Sequence, residues 1–166
     1  MARLGAFLTI ILMFAGGALA QGTAVPFGGS KHDNSLPVEI TADSLDLDQT
    51  GGTAVFTGNV EMGQGELRLS AGKVNVVYGK AGTEAQGTIE TVTATGDVTL
   101  SNGGEAAEAE RAFYNVASGA IEMTGDVILT QGQNALAGEK LVIDLNAGRA
   151  NMSGRVRTIF QPGSNQ

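Results

Sequence analysis

The chain contains no cysteine and no tryptophan, and only one histidine and three prolines among its 166 residues. The absence of cysteine excludes disulfides, thiol catalysis and cysteine-based zinc sites, so backbone pairing and apolar burial must hold the fold. A net charge of −7 argues against nucleic acid as a partner, because phosphate contacts require an excess of basic residues. Glycine is abundant instead, with 25 residues, which indicates frequent tight turns.

Residues 1–20 have the pattern of a secretory signal. Arg3 supplies a positive start, an apolar run extends from Leu4 to Phe14, and Ala18-Leu19-Ala20 forms an A-x-A cleavage site. The run is short for a membrane span, and an uncleaved N-terminal anchor is the alternative interpretation. We predict cleavage and export of the chain.

The exported part divides into three segments. Residues 21–36 lack periodicity and are predicted to form a flexible leader, and residues 162–166 a disordered tail. Between them, residues 37–161 are predicted to form one domain, since this length suits a single core.

An internal repeat runs through this domain. The block Phe56-Thr57-Gly58-Asn59-Val60 recurs around Gly96, Gly125 and, in a degenerate form, Gly154. The first interval between the glycines is longer than the other two, and the alignment places the insertion around residues 78–88. One repeat unit cannot bury its apolar face alone, so the units are expected to stack.

Apolar and polar residues alternate between the repeated glycines, as in strands with one buried face. The sequence therefore predicts an all-β fold of a dozen or more short strands, each four to eight residues long. Residues 104–116 contain good helix formers, but their alignment with the other units favours a strand.

Superposition of the units aligns apolar side chains in columns that face one interior. These columns and the flanking strands contribute the following candidate interior residues: Val38, Ile40, Leu45, Leu47, Phe56, Val60, Met62, Leu69, Val74, Val76, Val98, Leu100, Tyr114, Met123, Val127, Leu129, Leu141, Ile143 and Met152. Such rows fit a filled sandwich core, and they equally fit a groove that stays open for acyl chains. Residue spacing alone does not separate the two interpretations.

Residues that could carry chemistry are few. His32 lies in the leader without a partner base or nucleophile, which predicts a solvated linker residue. Asp43, Asp46 and Asp48 lack the spacing of a calcium loop, and alternation sends the last two to the solvent face. A basic group near the C-terminus is expected to be a solvated face or a contact for an acidic partner; its members are Lys140, Arg149, Arg155 and Arg157. No catalytic residue, metal site or cofactor is predicted.

Three parts of the sequence form a recognisable series: Pro37 to Asp46, Phe56 to Val60 followed by Leu67 to Val74, and Ile121 to Val127. Their resemblance is to the LptA/OstA-like family of lipopolysaccharide-transport proteins. It extends from about Leu36 to Phe160 and keeps the order of the family's blocks.

This resemblance implies a β-jellyroll with a V-shaped pair of sheets and a hydrophobic interior that holds the acyl chains of lipid A. It implies lipid contacts at Val38, Ile40, Leu45, Phe56 and Tyr114. It further implies a periplasmic, non-enzymatic bridge that carries lipopolysaccharide from the inner to the outer membrane. The expected partners are an anchored inner-membrane protein, an outer-membrane translocon and further copies of the chain, bound head to tail.

Three alternatives remain open at this stage. The same fold could serve as an anchored partner of the transport machine, although the cleavable signal and the end at Gln166 favour the soluble bridge. A structural β-repeat protein or adhesin would have a dry core. A carbohydrate-active β-helix enzyme would require paired acids in a cleft, whereas the acids here alternate singly outward.

Overall fold

The structure, a computed structural model, describes residues 23–27, 33, 35–79, 82 and 86–159. These residues form eleven β-strands and no helix, which confirms the all-β prediction, and they accordingly contain no helix that is long and apolar enough to cross a membrane. The strands are β1 (Thr23–Pro26), β2 (Glu39–Thr41), β3 (Ser44–Asp48), β4 (Thr53–Gln64), β5 (Leu67–Tyr78), β6 (Ile89–Asn102), β7 (Glu105–Asn115), β8 (Ala120–Gln131), β9 (Asn134–Asp144), β10 (Arg149–Ser153) and β11 (Arg157–Ile159).

All strands belong to one antiparallel sheet with the order β1-β10-β9-β8-β7-β6-β5-β4-β2. β2 and β3 pair with opposite halves of β4, and β11 and β10 pair with opposite halves of β9. The sheet is therefore folded along a line that crosses the middle of every long strand. We call the half with β2 and β11 limb A, and the half with β1, β3 and β10 limb B.

The repeated glycines lie on this fold line. At each corner, a glycine with φ between 80° and 87° is followed by a second residue with positive φ between 39° and 48°. The corner pairs are Gly58-Asn59, Gly96-Asp97, Gly125-Asp126 and Gly154-Arg155. Glycine adopts this left-handed conformation without steric cost, and Asn or Asp tolerates it better than most residues. The pairing register shifts at the same points and resumes beyond them, so each strand bends into the other limb without ending.

The predicted strand lengths were wrong for this reason. The six central strands, β4 to β9, contain 11 to 14 residues each, where four to eight were expected. Two consecutive left-handed residues reverse the pleat locally but leave the ladder on both sides intact. A glycine corner inside a strand therefore has the sequence signature of a strand end.

Two other expectations were confirmed and one was wrong. The segment 104–116 contains strand β7 (Glu105–Asn115), and the repeat insertion lies between the end of β5 at Tyr78 and the start of β6 at Ile89. The leader was expected to be unstructured, yet its residues 23–26 form β1 against β10 and Phe27 is 1% exposed. The predicted signal, residues 28–32 of the leader with His32, residues 80–81 and 83–85 of the insertion, and the predicted tail lie outside the described residues.

Paired residues form apolar rungs that cross the whole interior. In limb B, one rung consists of Leu45, Phe56, Val74, Ala94, Ala112, Met123, Leu141 and Met152. The next rung of limb B consists of Leu47, Ala54, Val76, Val92, Tyr114, Ile121, Ile143 and Ala150. The facing rung of limb A consists of Ile40, Met62, Leu69, Leu100, Ala107, Leu129 and Leu136. The core lies between these limbs.

The corner glycines differ in how much space surrounds them, and this gives a test of the fold. A Cβ added at Gly125 would lie 2.7 Å from Cβ of Glu110, whereas at Gly96 the nearest atom is Cα of Gly72 at 3.6 Å. We expect Gly125→Ala to lower the free energy of unfolding by about 2–4 kcal/mol, because backbone strain and overpacking add.

Gly96→Ala is the matched control, since its φ of 82° is close to the 87° of Gly125. It should cost only the backbone term of about 1–2 kcal/mol. Urea unfolding measures both variants, and equal losses would show that the contact with Glu110 does not constrain the corner.

Candidate functional site

Most of the predicted interior residues lie in a close-packed core. The following side chains are each at most 3% exposed: Val60, Met62, Leu69, Val74, Val76, Val98, Leu100, Tyr114, Met123, Val127, Leu129, Leu141, Ile143 and Met152. From β5 to β10 the two limbs are thus in contact through their side chains. In this conformation the interior of that region is a filled core.

Among the residues that the structure describes, the interior opens only toward β2 and β3. Leu45 and Leu47 are 53% and 56% exposed, although their rungs are fully buried from β5 onward. Val38, Ile40 and Phe56 are partly buried beside them. β2 and β3 each pair with β4 alone, so no further described strand covers their apolar side chains. We call these five residues the open edge.

The open edge carries apolar side chains from both limbs. Ile40 belongs to limb A, and Leu45 and Leu47 belong to limb B. Leu36 lies next to this edge and is 41% exposed. An apolar ligand placed there would extend the rungs of the core by one more layer, and about 25 cal/mol would be gained for each Å² of apolar surface removed from water.

A buried polar contact joins the two limbs behind the open edge. The hydroxyl of Tyr114 in limb B donates to Oε1 of Gln64 in limb A at 3.0 Å. Nε2 of Gln64 donates to the carbonyl oxygen of Leu36 at 3.0 Å. Both side chains are 1% exposed, and burial raises the pKa of Tyr114 to about 12. We call this contact the clasp, because it connects the limbs far from the fold line.

A second contact joins the limbs at the other end of the sheet. Nε2 of Gln131 in limb A donates to the carbonyl oxygen of Pro26, which belongs to β1 of limb B. The next residue, Phe27, is buried, and its backbone N–H donates to the carbonyl oxygen of Gly148 at 3.2 Å.

Sequence reasoning missed both Gln64 and Phe27. Gln64 lies between Gly63 and Gly65, a pattern typical of a turn, but it is the last residue of β4. Phe27 is an isolated aromatic among glycines and has no periodic neighbours. The only signal for it is the presence of a large apolar residue in a segment otherwise composed of small and polar ones.

The two ends of the sheet differ in charge. Residues 38–48, with β2 and β3, contain four acidic residues and no basic one, whereas residues 149–159, with β10 and β11, contain three arginines and no acid. Two of these arginines form exposed ion pairs with acids of β9: Nε of Arg155 lies 3.3 Å from Oε1 of Glu139, and Nη2 of Arg149 lies 3.6 Å from Oδ2 of Asp144. Exposed pairs of this kind contribute at most about 1 kcal/mol, so they exchange readily for pairs with another chain.

Two of the four acidic residues in segment 38–48 have local structural roles. Asp43 accepts a hydrogen bond from Nδ2 of Asn59 at 2.8 Å, and Asp48 accepts from the backbone N–H groups of Thr50 and Gly51. Within the described part of the chain, no three acidic or histidine side chains are grouped so that they could hold a metal ion. These contacts explain the acids as capping groups of a corner and a turn.

Comparison with known proteins identifies a transport family. A family model described as "LptA/(LptD N-terminal domain) LPS transport protein" matches residues 39–149. An uncharacterized protein of Rhizobium meliloti is 32% identical over 67% of this chain and 61% of its own length. The lipopolysaccharide export system protein LptA of Escherichia coli K12 is 35% identical over 42% of this chain. The matched regions span 61% and 36% of these two relatives, less than two thirds of each.

A solved structure has the same fold. LptH of Pseudomonas aeruginosa, described as the LptA homologous periplasmic component of the lipopolysaccharide transport device, superposes with a TM-score of 0.70. The superposition covers 79% of this chain and 99% of LptH at 23% sequence identity, so it supports the jellyroll fold.

The clasp predicts a specific dependence of stability on Tyr114. We expect Tyr114→Phe to lower the free energy of unfolding by about 1–2 kcal/mol, because a buried hydrogen bond is lost. The folded-state pKa of about 12 lies above the ordinary 10.0. The stabilisation by the neutral phenol is therefore complete below about pH 10 and is lost as the pH rises to about 12.

Denaturant unfolding at pH 8, 10, 11 and 12 measures this dependence. Tyr78→Phe is the control, because Tyr78 is the other tyrosine and lies outside the clasp. The wild type should lose more stability than Tyr114→Phe above pH 10. Parallel pH curves for these two proteins would contradict the assignment.

Proposed function

The chain belongs to the LptA/LptD N-terminal domain family of lipopolysaccharide-transport proteins, and we propose that it carries lipopolysaccharide across the periplasm as a bridge between the two membranes. The single observation that supports this role most directly is the open edge, where interior-facing leucines are more than half exposed. Exposed leucines on the interior face of a sheet have no structural use unless a ligand or another chain covers them.

The open edge is the proposed entry site for the acyl chains of lipid A. Each CH₂ group removed from water stabilises the bound state by about 0.8 kcal/mol, so acyl chains are held far better against leucine and isoleucine than in solvent. The fully buried side chains beyond it are proposed as lipid contacts in a second conformation. In that conformation the limbs separate and the clasp between Tyr114 and Gln64 opens.

This role requires no catalytic residue and no cofactor. The proposed partners are lipopolysaccharide, an anchored protein of the inner membrane and a translocon of the outer membrane. We retain residues 37–161 as the proposed domain. Residues 23–27 pack onto this domain as well, because β1 pairs with β10.

Further copies of the chain are also proposed as partners. The acidic end with β2 and β3 and the basic end with β10 and β11 differ in charge and in strand content. Two different, complementary ends make a heterologous contact, which propagates head to tail.

A structural β-repeat protein is the second candidate, because the interior from β5 to β10 is filled. Native mass spectrometry of the protein purified from its own envelope separates the two functions. Lipid A bound to the folded protein is expected for the carrier. Recovery of the protein without lipid, together with no lipid A binding after addition in vitro, would favour the structural role.

The open edge predicts a selective loss of lipid binding. We expect Leu45→Asp to weaken lipid A binding by about tenfold or more, because burial of a carboxylate against acyl chains carries a desolvation cost of 1.4 kcal/mol or more. The fold should be little affected, since Leu45 is already 53% exposed.

Phe113→Asp is the control for this measurement. Phe113 is 39% exposed and belongs to the outer face, where it pairs with Thr93 and Glu122. A fluorescent lipid A titration should show unchanged affinity for it, with circular dichroism confirming the fold of both variants. Equal effects of the two substitutions would contradict entry at the open edge.

Head-to-tail assembly predicts that the last strand is required. Truncation after Gly154 removes β11, whose residues Arg157 and Ile159 are exposed on the outer face of limb A. We expect a monomer that still binds lipid A, whereas the intact protein should form larger species as its concentration rises.

Light scattering at low and high salt measures this assembly. Salt should weaken the association of the intact protein, because the acidic and basic ends attract each other through solvent. An intact protein that stays monomeric at millimolar concentration would refute the bridge of several copies. In that case the lipid A titration tests separately whether the single chain binds and carries lipid.

A further inference from the structure

The basic end of the sheet is covered in only one of its limbs. β10 and β11 are the two halves of one strand bent at Gly154 and Arg155, and β2 and β3 are likewise the two halves of the first bent strand. Among the described residues, β11 has no outer neighbour in limb A, whereas β10 in limb B is paired with β1. At this end, limb B is therefore one strand wider than limb A.

Strand direction decides what can be added to this end. Every neighbouring pair is antiparallel, so β1 and β3 run in the same direction, opposite to β10. The β2–β3 strand of a following copy continues both limbs antiparallel only if β2 pairs with β11 while β3 pairs with β10. While β1 stays paired with β10, β3 of the following copy could add only to the outer edge of β1, and the two strands would run parallel. At the same time β2 of that copy would have to pair with β11, which lies one strand closer to the centre of the sheet.

We propose that β1 is an internal competitor that occupies the position of β3 from the next copy, so that the edge of β10 is an acceptor site for an added strand. This inference rests on the proposed head-to-tail assembly, and it assigns the regulation of that assembly to β1. The partner that fits the site is the β3 strand of a second copy of the chain. Assembly thus requires β1 to leave β10, and β1 keeps the single chain monomeric until a second copy displaces it.

The properties of β1 suit a removable cover. It pairs over only four residues, and it ends at Pro26, which has no backbone N–H to offer to a further strand. Short edge strands and proline are common means by which proteins prevent unwanted pairing. Because β1 is tethered to the same chain, its effective concentration at β10 is high, and this explains how so short a strand holds its place.

The displacing strand, β3, would make a more extensive contact with β10 than β1 does. β3 pairs over five residues and brings Leu45 and Leu47 to the interior face, where β1 brings Val25. Pairing with β10 would place those leucines beside Ala150 and Met152, at the ends of the rungs they begin in their own chain. Displacement therefore covers the exposed leucines of one copy with the core of another.

A reversible disulfide between β1 and β10 tests this competition. Ala24 and Asn151 are direct cross-strand partners, and the chain has no cysteine of its own, so Ala24→Cys/Asn151→Cys creates a single defined crosslink. The control is Phe113→Cys/Glu122→Cys, a cross-strand pair on the outer face between β7 and β8. The chain from Gln21 onward is used throughout, together with a variant that lacks residues 21–27.

Sedimentation velocity measures association, and a lipid A titration of the same samples monitors the carrier function independently. Oxidation of the β1–β10 pair is expected to weaken self-association at least tenfold relative to the reduced protein, while oxidation of the control pair has no effect. Deletion of residues 21–27 is expected to strengthen association at least tenfold. Lipid A binding should be retained in every form.

Two results would overturn the inference. Association that does not respond to the β1–β10 crosslink would show that β1 stays in place during assembly. Weaker association after the deletion would show that β1 is part of the contact and not its competitor. Loss of lipid A binding in all forms, the reduced intact protein included, would refute the proposed carrier function instead, so the two failures are distinguishable.

Discussion

The whole architecture depends on one backbone constraint, the pair of left-handed residues at each glycine corner. An ordinary strand that reached position 58, 96, 125 or 154 would continue straight, and its two apolar halves would form one long flat face with no partner. A glycine with φ near 80° followed by a second residue with positive φ turns the strand while hydrogen bonding resumes beyond the corner. Because the corners lie at equal positions in the repeat, they align into one fold line, and the open sheet folds over along it. The crowding of Gly125 and Gly154 by Glu110 and Glu139 explains why only glycine fits there.

Once the sheet is folded, the apolar rungs organise the interior. Each residue of a rung is buried only when a strand lies on both sides of its own strand. This condition is met from β5 to β10, where the rung residues are almost completely inaccessible to solvent. It fails at β2 and β3, where Leu45 and Leu47 are exposed although they begin the same rungs. The clasp of Tyr114 and Gln64 holds the limbs together behind this edge with a polar contact in an apolar surrounding. A polar contact of this kind opens at a smaller net cost than a packed layer of aliphatic side chains, because both groups regain hydrogen bonds from water.

The sequence is sufficient to predict the parts of this fold that repeat. The columns of Val74, Tyr114 and Leu141 follow from the repeat alone, and β7 was identified against its helix propensity because its residues align with the other units. The parts that failed are those that the repeat does not determine. The bend at Gly58 could not be distinguished from a strand end, since both use glycine. The exposure of Leu45 could not be foreseen because its column is buried in every other unit, and only the absence of an outer neighbour exposes it. β1 was missed because four residues that end in a proline carry no periodic signal.

A stack of repeats always has two unsatisfied ends, and this chain treats its two ends differently. The first end leaves apolar side chains exposed and surrounds them with acids, while the last end carries arginines and covers the edge of one limb with a strand from the start of the chain. If both ends were capped, the unit would be a stable monomer with no route for a ligand to leave it. If both were bare, copies would pair indiscriminately, since an open strand edge accepts any suitable strand. An exposed donor strand at one end and an occupied acceptor edge at the other would give the proposed association a direction, and they would couple it to the displacement of β1. The asymmetry that solves the edge problem of the fold therefore allows only one orientation for the proposed head-to-tail contact.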